Sequence, residues 1–281
     1  MQSARLVAAV AGSLAPGRWV IMSIFRQLAR KIHGPRCHLD SDEKAWVERR
    51  LLWLREQFGS EPIRRAPLEP TSELLPNRWD GSYEAGADLL RRLCGHMRVE
   101  PSRIQLHYYS EAEPIEPIPG FYEAHKSGPA GLFIHPEKRD RLIIALDAAG
   151  LDRPAALAAT ICHELGHVHL LADRRITRDT EDSEPLTDLL TVYFGAGILT
   201  ANSAFQFSQW QEGQMQGWSA SAQGYLSEAL FGYSLACCSW YRGDLEAGWR
   251  RHLRENIAYY FDDSMHFLST TRETTIPFDG A

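Results

Sequence analysis

The chain of 281 residues has few cysteines, no long apolar run and no strongly basic run, and each of these absences argues against a class of protein. Its five cysteines contain no C-x-x-C pair, and their odd number argues against a secreted disulfide framework. No apolar run approaches the roughly 18 residues of a membrane-spanning helix. There is no basic run with interleaved aromatic residues, and the net charge is −6, which argues against a nucleic-acid-binding surface. We therefore expect a cytoplasmic protein with no membrane span and no nucleic-acid partner.

The length and the hydrophobic content of 44% are sufficient for one large core. We expect residues 38–261 to form a single domain and residues 262–281 to form a loosely attached tail. Residues 1–37 are expected to be an N-terminal extension that is either disordered or contains a misannotated start; in the second case translation begins at Met22, and residues 1–21 are an extension of the reading frame. A short apolar run from Leu6 to Ala15 imitates a signal peptide, but Pro16 directly after it is a poor cleavage context. A secreted or periplasmic location is the alternative.

The motif that carries chemistry is His163-Glu164-Leu165-Gly166-His167. Residues four apart lie on one face of an α-helix, so His163 and His167 can offer two imidazole nitrogens to a single metal ion. Glu164 lies one step round, where it can take a proton from a water molecule that the metal activates. Zinc suits imidazole ligands and acidifies water, so Zn²⁺ is the predicted cofactor.

The context of this motif favours a buried helix. Pro154 is expected in its first turn, where a missing N–H costs nothing, and apolar residues at 157, 161, 165 and 168 form a stripe. Cys162 faces away from the two histidines and is predicted to be core. His169 lies on another face and is predicted not to be a ligand. The alternative is a core helix whose histidines are satisfied by neighbouring side chains.

Two histidines leave a catalytic zinc ion one protein ligand short. The acidic segment that follows offers Glu181, Asp182 and Glu184 as candidates, and residues alone leave all three open. Glu184 and Asp188 have E-x-x-x-D spacing, which places both on one helical face.

This combination, from Ile161 to about Leu190, resembles the gluzincin group of zinc metallopeptidases, the thermolysin-like enzymes. The resemblance implies that Glu184 is the third zinc ligand and that Asp188 hydrogen-bonds His163 and fixes its orientation. It also implies a zincin-like fold, in which a sheet edge beside the active-site helix binds an extended peptide by strand addition.

The predicted fold class is α+β and mostly helical, with a small sheet before the active-site helix and a helical C-terminal part. Alternating and apolar runs predict strands at 102–110, 131–135 and 141–146. Capping signals and apolar spacing predict helices after Asp40 to about 58, at 82–97, 184–201, 222–241 and 244–260. Loops are predicted at 59–80, 111–120 and 202–223.

The first hypothesis is a zinc metallopeptidase acting on a peptide or protein substrate, with Glu164 as the general base. The second is a metal-holding regulatory or interaction protein that keeps the zincin fold with little turnover, and the third is a structural protein without metal. The sequence does not indicate which oligomeric state the protein adopts. Similar enzymes also use a His or Tyr to stabilise the oxyanion, and the candidates here are Tyr193, Tyr225, Tyr233 and His252.

Overall fold

The computed structural model describes residues 34–110, 131–134, 141–211 and 226–279. The chain divides into Met1–Arg36 and Cys37–Ala281, and the features that follow all belong to the second unit. Most of the predicted N-terminal extension and the predicted loop at 111–120 lie outside the described residues.

The capping predicted from the sequence is confirmed in the first helices. Helix α1 spans Ser41–Phe58, and the Asp40 carboxylate accepts hydrogen bonds from the backbone N–H groups of Asp42 and Glu43 at 2.9 and 2.8 Å. The Glu43 side chain in turn accepts from the Asp40 N–H at 3.2 Å, which completes a capping box. A single turn, α2, spans Glu61–Arg64 within the predicted loop at 59–80.

Helix α3 spans Tyr83–Met97 and is capped by Ser82, whose hydroxyl accepts from the backbone N–H of Ala85. It leads into a sheet of three described strands: β1 at Ile104–Tyr109, β2 at Gly131–Ile134 and β3 at Leu142–Asp147.

The strand order is β1-β3-β2, with β1 parallel and β2 antiparallel to β3. Strand β3 is the central one, and its residues 143–146 are fully buried, as its continuous apolar run indicates. Strand β2 therefore lies at an edge of the described sheet.

The helical part follows the sheet, as expected. Helix α4 spans Pro154–His167 and continues into a π-helical turn at Val168–Ala172. The later helices are α5 at Ser183–Tyr193, α6 at Gly197–Gln211, α7 at Glu228–Arg242 and α8 at Glu255–Thr271. The mostly helical α+β class is confirmed. None of the described helices is both long and apolar enough to span a membrane.

Three predicted element boundaries differ from the structure. The predicted helix at 184–201 is broken, because Gly195 has a φ of 83°, a left-handed conformation that glycine adopts without strain. The predicted loop at 202–223 begins instead as the second half of α6, up to Gln211. The last predicted helix begins at Glu255 rather than 244 and follows a 3₁₀ turn at Gly248–His252.

The C-terminal segment is not the loose tail expected at 262–281. Helix α8 continues to Thr271, because the apolar spacing of Ile257 and Phe261 is continued by buried Met265 and Leu268. Beyond the helix, Ile276 is buried, and its carbonyl accepts a hydrogen bond from the indole N–H of Trp240.

A buried carboxylate ties this segment to the first helix. Glu48 of α1 accepts hydrogen bonds from the Tyr233 hydroxyl at 2.6 Å and from the N–H and hydroxyl of Thr275 at 2.9 and 2.7 Å. Lys44 forms an ion pair with it at 2.9 Å. Burial alone would raise the pKa of Glu48, but these contacts outweigh it and lower the pKa to about 2. The carboxylate therefore joins α1, α7 and the C-terminal segment.

Replacing Glu48 with Gln is expected to lower the free energy of unfolding at neutral pH by about 3 kcal/mol, because it removes the charge that a buried network is built around. The folded-state pKa lies below the ordinary value of 4.5, so this stabilisation is present above pH 4.5 and is lost as the pH falls towards about 2. Urea unfolding at several pH values measures both effects. The control is Glu56→Gln, at an exposed position of the same helix. Equal unfolding of the two variants would contradict this role for Glu48.

Candidate metal centre

Helix α4 lies at the centre of the described packing, against α3, α5, α6 and β2. Every residue from Leu157 to His167 is buried, including the predicted apolar stripe. His163 and His167 are only 7% and 8% exposed, and their ring centroids lie 4.8 Å apart. The four-residue spacing thus brings the two imidazoles together on one face, as the sequence predicts.

The third histidine of this region faces the core. The ring of His169 stacks on Phe194 with centroids 5.0 Å apart, and its Nε2 donates to the backbone carbonyl of Met97 at 2.6 Å. Burial lowers the pKa of His169. The prediction that His169 is not a ligand agrees with this placement.

Glu184 meets the two histidines from the first turn of α5. Its Oε2 lies 3.1 Å from His163 Nε2 and 3.5 Å from His167 Nε2. The three candidate ligand atoms all lie within 4.8 Å of one another. In the part of the chain that the structure describes, this is the cluster of histidine, cysteine or acidic residues arranged to hold a metal ion.

Two of the three separations between these donors suit a tetrahedral ion, and the third, between the two imidazoles, is at most 4.8 Å. Zinc at 2.0–2.2 Å from each ligand would separate the ligand atoms by roughly 3.3–3.6 Å. The observed separations of 3.1 and 3.5 Å between the Glu184 oxygen and the two imidazole nitrogens are close to that range. Two imidazoles and one carboxylate also form a donor set that suits zinc.

Asp188 lies behind His163, one helical turn from Glu184. Its Oδ1 accepts a hydrogen bond from His163 Nδ1–H at 2.9 Å, and its Oδ2 accepts from the backbone N–H of Leu226 at 3.0 Å. Because Nδ1 keeps the proton that it donates to Asp188, Nε2 is the nitrogen of His163 that faces the cluster and that would bind a metal ion after losing its own proton. Asp188 thus makes the contact that the gluzincin resemblance implies.

The charges of the cluster reinforce one another. Burial opposes protonation of His163, but the carboxylates of Asp188 and Glu184 outweigh it and hold the pKa of His163 well above its usual value. Burial likewise disfavours the Glu184 anion, yet the two histidines hold the pKa of Glu184 far below its usual value. The cluster therefore presents an ionised carboxylate at neutral pH, and metal uptake would release a proton from His163.

Glu164 is buried between the cluster and strand β2. Burial raises its pKa; the two histidines and a hydrogen bond from the backbone N–H of Phe133 act in the opposite direction. The strand approaches this closely because residue 131 is glycine: a Cβ there would lie 2.4 Å from Thr160 Cγ2 and 3.2 Å from the Glu164 carboxylate. The Phe133 ring also stacks on His167, with centroids 6.1 Å apart.

The two competing acidic residues do not join the cluster. Asp182 turns towards α1, where it binds Arg50 at 2.6 and 2.7 Å and the Trp46 indole N–H at 2.7 Å. Glu181 is exposed and lies outside the group of candidate ligands. The Asp182 contacts fasten the start of α5 to α1 and so help to fix Glu184.

Three of the four oxyanion candidates are engaged elsewhere. Tyr193 donates to the Gly59 carbonyl, Tyr233 to Glu48, and His252 pairs with Glu69. The fourth, Tyr225, lies outside the described residues.

Tyr109, at the end of β1, was not among the candidates and lies within electrostatic reach of Glu164. Burial, followed by the charges of Asp147 and Glu164, raises the pKa of Tyr109 above its usual value.

Comparison of the chain with protein-family models, with curated proteins and with solved structures found no match. The interpretation of the site therefore depends on the geometry of these residues.

Proposed function

We propose that the protein is a zinc-dependent hydrolase, most simply a metallopeptidase with a zincin-like fold and a gluzincin-type site. The observation that carries this proposal is the convergence of His163 Nε2, His167 Nε2 and a Glu184 carboxylate oxygen, with Asp188 orienting the first histidine. A protein that needed only a buried polar cluster would not need Glu164 beside it as well.

In this proposal, some residues of the site bind the metal ion and another transfers protons. His163, His167 and Glu184 would hold the ion, and a zinc ion there supplies a Lewis acid that polarises a carbonyl and acidifies water. Glu164 takes the proton of the attacking water and passes it to the leaving amine.

A peptide substrate is supported by the place of strand β2. This strand lies at the edge of the described sheet and runs beside α4, with Gly131 against Glu164 and the Phe133 ring on His167. An extended peptide that pairs with such an edge through its backbone would lie next to the cluster.

The proposal is tested by measuring hydrolysis of quenched fluorogenic peptides by the purified full chain. We expect activity that is lost after metal is removed with a chelator and restored by about one equivalent of zinc per chain. The control is the stripped protein with magnesium, a cation that prefers oxygen ligands and six-fold coordination. If the protein bound zinc tightly but hydrolysed none of the fluorogenic peptides, the proposal of a hydrolase would be wrong, and a metal-holding regulatory protein would be favoured.

A further inference from the structure

Thr187 occupies a buried position on α5 between Glu184 and Asp188. It is fully buried, and its hydroxyl oxygen lies 2.7 Å from the backbone carbonyl of Ser183 and 3.4 Å from His167 Nδ1. A hydroxyl has one proton to donate and two lone pairs that accept. Since the Ser183 carbonyl can only accept, the Thr187 proton is directed there, and its lone pairs are left for His167 Nδ1–H.

We propose that Thr187 is the positioning residue of His167, in the way that Asp188 is for His163; this inference depends on the metal site of the proposed function. By accepting a hydrogen bond from Nδ1–H, Thr187 keeps the proton on Nδ1 and leaves the lone pair on Nε2, the nitrogen directed to Glu184 and to the ion. The same contact fixes the plane of the imidazole ring.

The two histidines are consequently supported in different ways. His163 has a buried carboxylate at 2.9 Å, whereas His167 has a neutral hydroxyl at the longer distance of 3.4 Å. A carboxylate raises the basicity of an imidazole ligand more than a hydroxyl does. The contribution of Thr187 is therefore expected to be mainly orientation and choice of tautomer.

The methyl group of Thr187 has a separate contact. A Cβ at Gly166 would lie 2.7 Å from Thr187 Cγ2, so the methyl group occupies the space that this glycine leaves between α4 and α5. Valine would keep this packing and remove the hydroxyl. Serine would keep the hydroxyl and remove the methyl group. The pair of substitutions therefore separates positioning of the ligand from packing of the helices.

The test is the zinc dissociation constant of the full chain, measured by competition with a chromophoric chelator. We expect Thr187→Val to weaken binding roughly tenfold, the lower end of the effect of removing a partner of a ligand. Thr187→Ser should bind within about threefold of the wild type, because it retains the acceptor. Thermal unfolding of the metal-free variants serves as a second readout, which shows whether either substitution destabilises the fold.

The absorption spectrum of the cobalt-substituted protein provides a readout that helix packing alone would not move. We expect the spectrum of Thr187→Val to differ from the wild type and that of Thr187→Ser to match it. Wild-type zinc affinity in Thr187→Val, or equal losses in both variants, would overturn the role of Thr187 and leave the proposed function standing. A wild-type chain that binds no zinc would overturn both.

Discussion

Glu164→Gln is expected to lower the rate of peptide hydrolysis by about 10²–10⁴-fold while zinc remains bound. Glutamine has nearly the same shape as glutamate and keeps an oxygen that can accept from the Phe133 N–H, but it cannot take a proton from water. His163, His167 and Glu184 are unchanged in this variant. The rate on a fluorogenic peptide and the zinc content of the same preparation measure both effects.

A matched change checks that the loss is specific to Glu164. Glu181→Gln makes the same substitution at an exposed position of the acidic segment, outside the cluster, and should leave the rate within about twofold of the wild type. Full hydrolysis by Glu164→Gln would place the general base elsewhere. Loss of zinc from that variant would mean that Glu164 helps to hold the ion.

Glu184→Ala is expected to weaken zinc binding by at least about 100-fold, more than the loss of a residue that only supports a ligand. Its carboxylate lies close to both imidazole nitrogens. Removing it leaves only the two histidines as ligands and removes the negative charge that would attract the cation. Zinc content after gel filtration and the dissociation constant from chelator competition measure the effect.

The controls for this prediction are the other two acidic residues that the sequence offers. Glu181→Ala should keep wild-type affinity, because this side chain is exposed. Asp182→Ala should cost stability through its contacts with Arg50 and Trp46, and weaken zinc binding less than Glu184→Ala does. The assignment of Glu184 would be wrong if Glu181→Ala lost zinc and Glu184→Ala retained it.

The parts of the site that follow from helical geometry were predictable. A spacing of four residues places two side chains on one face of any α-helix, independently of the rest of the chain. This holds for His163 with His167 and for Glu184 with Asp188. The capping box of α1 and the Ser82 cap of α3 were predictable for the same reason, since these contacts join residues close in sequence.

The choice among Glu181, Asp182 and Glu184 was not predictable from residues alone. Asp182 is excluded because its carboxylate binds Arg50, a residue 132 positions earlier in the chain, and Glu181 is excluded because it is exposed. The approach of β2 to Glu164 similarly depends on a strand and a helix that meet only in the folded chain. The signal that existed was Gly131 at the start of a strand, which can mark a close backbone approach.

The errors in the C-terminal half have physical causes too. The break at Gly195 interrupts an apolar pattern that continues on both sides, so periodicity alone joins the two helices. The predicted tail after residue 261 is wrong because the apolar residues there extend the spacing of α8. The oxyanion candidates share only a residue type, and no local sequence pattern shows which of several tyrosines and histidines far apart in the chain faces a site.

The most direct test of the metal centre is a crystal structure of the zinc-loaded protein with anomalous scattering measured at the zinc edge. We expect one strong peak about 2.0–2.2 Å from Nε2 of His163, Nε2 of His167 and a carboxylate oxygen of Glu184. A peak bound by Glu181 or Asp182 instead, or no peak between the two histidines at saturating zinc, would contradict the assignment.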